Sequence, residues 1–112
     1  MSKALPKLIV DASERNAELY YATHFLAPDP LIYLEINGKK VLVVSSLEYG
    51  RAKRQARVDE VELGKKGVNL AEEAIELLTR HACSEATVQE SLAYGLAKEI
   101  GEAGIILKPI SS

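Results

Sequence analysis

Cysteine is nearly absent. Cys83 is the only one in 112 residues, so no intramolecular disulfide can form and nothing points to an oxidising compartment. Charge of one sign is missing too: 14 Lys and Arg against 16 Asp and Glu leave a formal net charge of −2. That balance excludes the global attraction that draws basic proteins to nucleic acid or anionic lipid. No segment approaches the roughly eighteen apolar residues of a membrane span. The first apolar stretch, Leu8-Ile9-Val10, is too short for a signal-peptide core and is closed by Asp11. The expected compartment is the cytoplasm, with no membrane and no nucleic acid as partner.

Recognisable chemistry is also scarce. His81 and Cys83 lie two apart with no second such pair anywhere in the chain, so alone they cannot build a metal site. They read as a helix-end histidine and a semi-buried thiol. Ser45, Ser46 and Ser91 fall at helix starts, where a hydroxyl satisfies free backbone N–H groups, and no G-x-S-x-G elbow is present. The string Gly64-Lys65-Lys66-Gly67 lacks P-loop spacing and reads as an exposed turn. Arg51, Lys53, Arg54 and Arg57 form a basic cluster, but Asp59, Glu60 and Glu62 follow it, and a solvated helix face accounts for it. No catalytic residue, cofactor site or metal site is expected in the chain.

An apolar fraction of 47% and a charged fraction of 27% are those of an ordinary globular domain. A chain of this length buries about two-thirds of its unfolded surface, enough for one core. Leu8-Ile9-Val10 reads as a short buried strand, and residues 17–23 as one or two helical turns. Ala27-Pro28-Asp29-Pro30 must be a loop, because each proline disfavours helix at the residue before it. Residues 31–36 and 39–44 are apolar, β-rich runs separated by Asn37-Gly38, which predicts a hairpin with a two-residue type I′ turn. Strands apolar at nearly every position imply cover on both faces.

Ser45-x-x-Glu48 predicts a capping box opening a helix to about residue 57, with Leu47, Ala52 and Ala56 as its thin apolar stripe. Residues 61–63 form a candidate strand. Asn69-x-x-Glu72 caps a helix with Leu70, Ala71, Ala74, Ile75 and Leu78 on one face, and with Glu76 and Arg80 paired toward solvent. Residues 86–89 form a short strand. A last helix starts at Ser91, with Ala93, Leu96, Ala97 and Ile100 inward, and ends at Gly104 before a strand over 105–107. The order β-α-ββ-α-β-α-β-α-β predicts a single α/β three-layer domain, a mixed sheet of five to six strands with helices on both faces.

The stretch from Leu19 to Pro30 invites a functional reading. Tyr20, Tyr21, His24 and Phe25 adjoin the double-proline loop that holds Asp29, and aromatics on a stiff loop often anchor an interface. The alternative is that Leu19, Tyr20 and Tyr21 pack into the core and only the loop tip is exposed.

Ser13-Glu14-Arg15-Asn16 followed by Leu19-Tyr20-Tyr21-Ala22-Thr23-His24-Phe25 resembles the S-x-x-N-x-x-Y-L-T-G-F segment of creatinase/prolidase-type N-terminal domains. Ser46-Leu47-Glu48-Tyr49-Gly50-Arg51-Ala52 is similar to the E-Y-x-R-A-like string after their second hairpin strand, and the end of the chain, from Leu96-Ala97 to Glu102-Ala103-Gly104-Ile105, to their last helix and strand. The family comprises Xaa-Pro aminopeptidases, Xaa-Pro dipeptidases (prolidases) and creatinases. The resemblance implies that residues 1–112 are a non-catalytic N-terminal domain, ending about where a linker to a pita-bread catalytic domain begins. That separate domain would hold two divalent metal ions (Mn, Co or Zn) on Asp, Asp, His, Glu and Glu, none of which has a matching position here. It further implies a homodimer in which the N-terminal domain shapes the partner subunit's active-site entrance, and it nominates Thr23, His24, Phe25 and Asp29. His24 departs from the pattern by replacing the usual glycine. A stand-alone interaction module, or the same domain from a creatinase-like non-peptidase parent, remains the alternative.

Overall fold

The hairpin organises everything around it. In the computed structural model, which describes residues 5–65 and 68–109, β2 (Leu31–Ile36) and β3 (Lys39–Val44) pair antiparallel from Ile36 with Lys39 to Ile32 with Val43. Asn37 and Gly38 have φ of 51° and 79°, the two left-handed residues that a type I′ turn demands. Strand β1 (Lys7–Asp11) pairs antiparallel with β2 on its other side.

The remaining elements follow the predicted order: α1 (Ala17–Thr23) between β1 and β2, then α2 (Ser46–Gln55), β4 (Glu60–Leu63), α3 (Leu70–Arg80), β5 (Glu85–Val88), α4 (Tyr94–Glu102) and β6 (Ile106–Pro109). The six strands form one sheet in the order β4-β3-β2-β1-β5-β6, parallel at β3–β4, β1–β5 and β5–β6. Each of those parallel neighbours is reached through a helix, as parallel pairing requires.

Alternation along the three central strands divides the core in two. Leu8, Val10, Ile32, Leu34, Val41 and Val43 face α3 and α4, packing on Ala74, Leu77, Leu78 and Ile100. Ile9, Leu31, Tyr33, Leu42 and Val44 face α1 and α2, packing on Leu19, Phe25 and Ala52. A strand buried on both faces has no polar side, which is why these segments read as unbroken apolar runs. The buried amide of Gln89 extends the β1–β5 contact: its Nε2 donates to Val10 O at 2.6 Å and its Oε1 accepts from Val10 N at 3.3 Å.

Several local expectations are corrected. Ser45 stands at the N-cap of α2 but makes no side-chain cap bond, and Glu48 turns to Arg51 instead of closing a capping box. Leu47 is 86% exposed and lies outside the buried stripe, which reduces to Ala52 with Tyr49 and Ala56 half-buried. Glu76 does not pair with Arg80. It accepts from Lys65 at 2.6 Å, while Arg80 grips Glu62 of β4 in a fork of two bonds at 3.0 and 2.6 Å. Helix α4 begins at Tyr94, with Ala93 exposed at its N-cap, so Ser91 caps nothing and Leu92 supplies the inward contact. The turn over 64–67 is described only as far as Lys65.

The Asn69 cap forms as expected, its Oδ1 accepting from Glu72 N at 2.8 Å. Asn69→Ala is expected to cost about 1 kcal/mol in urea unfolding, whereas Ser45→Ala should stay within about 0.5 kcal/mol because no cap bond is lost. A Cβ at Gly38 would meet nothing within 4 Å, so the cost of Gly38→Ala is backbone strain alone, about 1 kcal/mol.

Tyr33 is fully buried and donates its hydroxyl to Glu35 Oε1 at 2.6 Å. Burial, and then the Glu35 carboxylate that accepts its proton, push the phenol well above its ordinary value. Folding therefore favours the neutral phenol. The stability it contributes is intact below the unfolded pKa near about 10 and is lost as pH rises beyond it. Between about pH 8 and about pH 11 the wild type should lose more stability than Tyr33→Phe in parallel urea titrations. Equal losses would show that the phenol is not held neutral.

Candidate functional site

The connection from α1 to β2 is held by short polar side chains. After β1, the Ser13 hydroxyl accepts from Ala27 N at 2.7 Å and Glu14 N donates to Ala27 O at 3.2 Å, tying the loop to the first turn. Asn16 caps α1, accepting from Leu19 N at 2.9 Å while its amide donates to Asp11 at 3.3 Å. Thr23 closes the helix from inside, its hydroxyl donating to Leu19 O at 2.9 Å and accepting from Phe25 N at 3.2 Å. The free carbonyls at the helix end receive Lys40 Nζ (on Ala22 O, 3.1 Å) and Arg57 N (on Thr23 O, 2.7 Å). Ser13, Asn16 and Thr23 of the recurring segment are therefore loop fasteners.

His24 sits in the left-handed region, with φ 53° and ψ 32°, and its N–H donates to Tyr20 O at 2.6 Å. That is the helix-ending position glycine fills without strain, at a cost of about 1–2 kcal/mol for other residues. The imidazole instead lies against Tyr20, ring centroids 6.1 Å apart, and Tyr20 lies 6.3 Å from Tyr21.

From Thr23 to Ala27 the chain alternates strictly. Thr23, Phe25 and Ala27 are buried; His24 and Leu26 are exposed, as are Pro28, Asp29 and Pro30 beyond them. Thr23 and Phe25 thus contact the chain's own core, while His24 and Asp29 face solvent. Phe25 is a wedge: it packs with Leu19, Leu31 and Tyr33, and the Arg51 guanidinium lies 4.2 Å above its ring. Arg51, read from sequence as part of a solvated basic face, therefore ties α2 to this loop.

Of the stretch expected either to anchor an interface or to pack inward, Leu19 is inside, Tyr20 is 39% exposed and Tyr21 73% exposed. Leu26, half exposed, joins this face and was not anticipated. Its signal was present in the sequence: it follows Phe25 in an extended stretch before Pro28, where neighbours must point to opposite sides.

A cavity of about 760 Å³ opens between the ends of β3 and β4 and the start of α3, lined by Ile32, Val43, Leu63, Leu70, Lys65 and Glu73 among others. Lys65 N donates to Glu73 and Lys65 Nζ to Glu76, so neither group is poised for chemistry. Burial pushes the Cys83 thiol up, away from the reactive thiolate. Among the described residues one set of three potential metal donors comes together, Glu60, Glu62 and His81. It does not fit the five-donor dinuclear centre that the family resemblance implies.

No protein-family model and no curated protein sequence matches the chain. Solved structures do. The chain is similar to the prolidase from Pyrococcus horikoshii OT3, with TM-score 0.72 and 23% identity over 95% of this chain and 28% of that one. It is similar to the Xaa-Pro dipeptidase from Bacillus anthracis, with TM-score 0.78 and 14% identity over 95% and 28%. It also matches the creatinase/prolidase N-terminal domain of an X-Pro dipeptidase from Streptococcus pyogenes, with TM-score 0.67 and 17% identity over 94% of this chain and 82% of that one. At these identities the likeness is one of fold. The fold is that of the creatinase/prolidase N-terminal domain, and the chain spans 28% of the length of the two longer peptidases.

His24→Gly removes left-handed strain and is expected to raise stability by up to about 1 kcal/mol in urea unfolding. Thr23→Val, nearly equal in shape, strands the buried Phe25 N–H and should cost about 1–3 kcal/mol. If both variants match the wild type, the helix end is not held as described.

Proposed function

We propose that this chain is the non-catalytic N-terminal domain of an Xaa-Pro-specific metallopeptidase. It serves by forming a homodimer and by shaping the active-site entrance of the partner subunit. The observation that carries this reading is the fold likeness to an isolated creatinase/prolidase N-terminal domain, over 94% of this chain and 82% of that one. In this reading residues 1–112 are one domain, and the two divalent ions (Mn, Co or Zn) and their ligands belong to a separate catalytic domain of the same protein. Such a protein works in the cytoplasm; no helix among the described residues is long and apolar enough to cross a membrane.

Within the domain, Thr23 and Phe25 hold the loop and His24 and Asp29 are its contact groups, flanked by Tyr20, Tyr21 and Leu26. Aromatic side chains presented on a fastened loop lose little conformational entropy on binding, which suits an interface. The exposure of Tyr21 and Leu26 equally favours a second reading, a stand-alone interaction module on the same face. A creatinase-like parent shares the fold, and fold alone does not separate the reactions.

The chain by itself is expected to show no turnover of Xaa-Pro dipeptides or peptides with Mn²⁺ or Co²⁺ added, and to self-associate in size-exclusion chromatography with light scattering. Tyr21→Ala together with Leu26→Ser should shift it toward monomer with unfolding stability unchanged. Turnover by the chain alone would overturn the non-catalytic assignment, and a monomer at high concentration the dimer role. A coding sequence running on into the Asp, Asp, His, Glu and Glu ligand motifs is expected, and separates the peptidase reading from the stand-alone module.

A further inference from the structure

Strand β4 is an edge strand, and its side toward α3 carries Glu60 and Glu62, in register beside the buried Val41 and Val43 of β3. Two carboxylates in line with a hydrophobic layer call for partners, and each has one. Glu60 takes Lys39 at 3.3 Å, and Glu62 takes the Arg80 fork. Such ion pairs also protect an open sheet edge, and that is sufficient reason for the acids.

They do not account for His81. This residue caps α3 and is followed by Ala82 in the left-handed region with φ 57°, which turns the chain toward β5 and holds the imidazole at the edge of β4. Its Nε2 is closed off from solvent and has no hydrogen-bond partner among the described residues. An orphaned ring nitrogen shut away from water is costly, and a ligand that accepts its lone pair removes the cost. One donor atom from each of Glu60, Glu62 and His81 lies within 4.8 Å of the other two.

We propose that Glu60, Glu62 and His81 bind a borderline first-row dication such as Zn²⁺. Donors of a tetrahedral zinc site stand about 3.4 Å apart, from bonds of roughly 2.1 Å, so the cluster closes on the ion by side-chain rotation alone. An imidazole with two carboxylates is a donor set that suits zinc better than magnesium or calcium. Arg80 and Lys39 need not leave. A carboxylate offers about four acceptor positions, and the Arg80 fork occupies two of those on Glu62. The two cations then act as outer partners that orient the ligands.

The test is titration of ZnCl2 into the 112-residue chain, followed by calorimetry and by ¹H–¹⁵N spectra of the backbone and imidazoles. One Zn²⁺ per chain is expected, with the largest shifts at His81 and in β4, and at least tenfold weaker binding of Mg²⁺. His81→Ala and Glu60→Gln should each weaken Zn²⁺ binding at least tenfold with an unchanged apo spectrum. Cys83→Ser, beside the cluster but outside it, should bind as the wild type does. Absence of saturable binding, shifts centred on Cys83 or His24, or unchanged affinity in both cluster variants would overturn the site. The domain's fold and its proposed partner-facing loop do not depend on the result.

Discussion

Burial of the three central strands on both faces is the constraint from which the architecture follows. Strands β1, β2 and β3 carry almost no polar side chain through their middles, so neither face of the sheet tolerates water. Helices must cover both sides, and the pleat decides which residues each pair meets: Ile9, Tyr33 and Leu42 go to α1 and α2, Leu8, Leu34 and Val41 to α3 and α4. With both faces taken, polar chemistry is confined to strand ends, sheet edges and connections. That is where every polar or charged cluster described above is found.

The connection before β2 uses that freedom in an ordered way. Ser13, Asn16 and Thr23 satisfy backbone groups that a loop so near the core would leave unpaired, and Phe25 fixes the segment to the sheet and to Arg51. With its inward side chains spent on holding shape, the segment presents its outward ones on a firm base. Tyr20, Tyr21, His24 and Leu26 owe their common exposure to that fastening. Ser13, Asn16 and Thr23 place a hydroxyl, an amide and a hydroxyl where backbone N–H groups need partners, and His24 stands where the helix ends at positive φ. The His24 backbone takes up the glycine conformation, so the departure from the pattern is absorbed as strain rather than as a different loop.

Edges obey a different economy. Strand β4 sets charges beside the hydrophobic layer and neutralises them with residues from β3 and α3 that are distant in sequence: Lys39 for Glu60, Arg80 for Glu62. A helix reads as an i,i+4 surface pair, Glu76 with Arg80, only while it is considered alone. Placed beside β4, Arg80 finds a carboxylate that accepts both arms of its fork, and the intrahelical pair loses. Weak local bonds of a few tenths of a kcal/mol yield to stronger partners brought in by the fold. Ser45 and Ser91 differ: Glu48 pairs with Arg51 inside α2 itself, and the last helix starts three residues after Ser91.

Element order, the hairpin and its turn type, the two-sided cover and the Asn69 cap were all legible in the sequence, because each depends on residues within a few positions of one another. In the segment around Thr23, His24, Phe25 and Asp29, which side chains point inward was not legible. That depends on the direction in which α1 delivers the chain to the sheet, set by bonds from Ser13, Lys40 and Arg57. That Glu60 and Glu62 lie near His81 was not legible, because they come from β4, about twenty positions earlier. Local spacing determined which elements this protein has, since backbone geometry is a short-range property. Only the tertiary structure decided which distant charged groups meet, Arg80 with Glu62 and Lys39 with Glu60, because these partners come from elements that the sheet brings together.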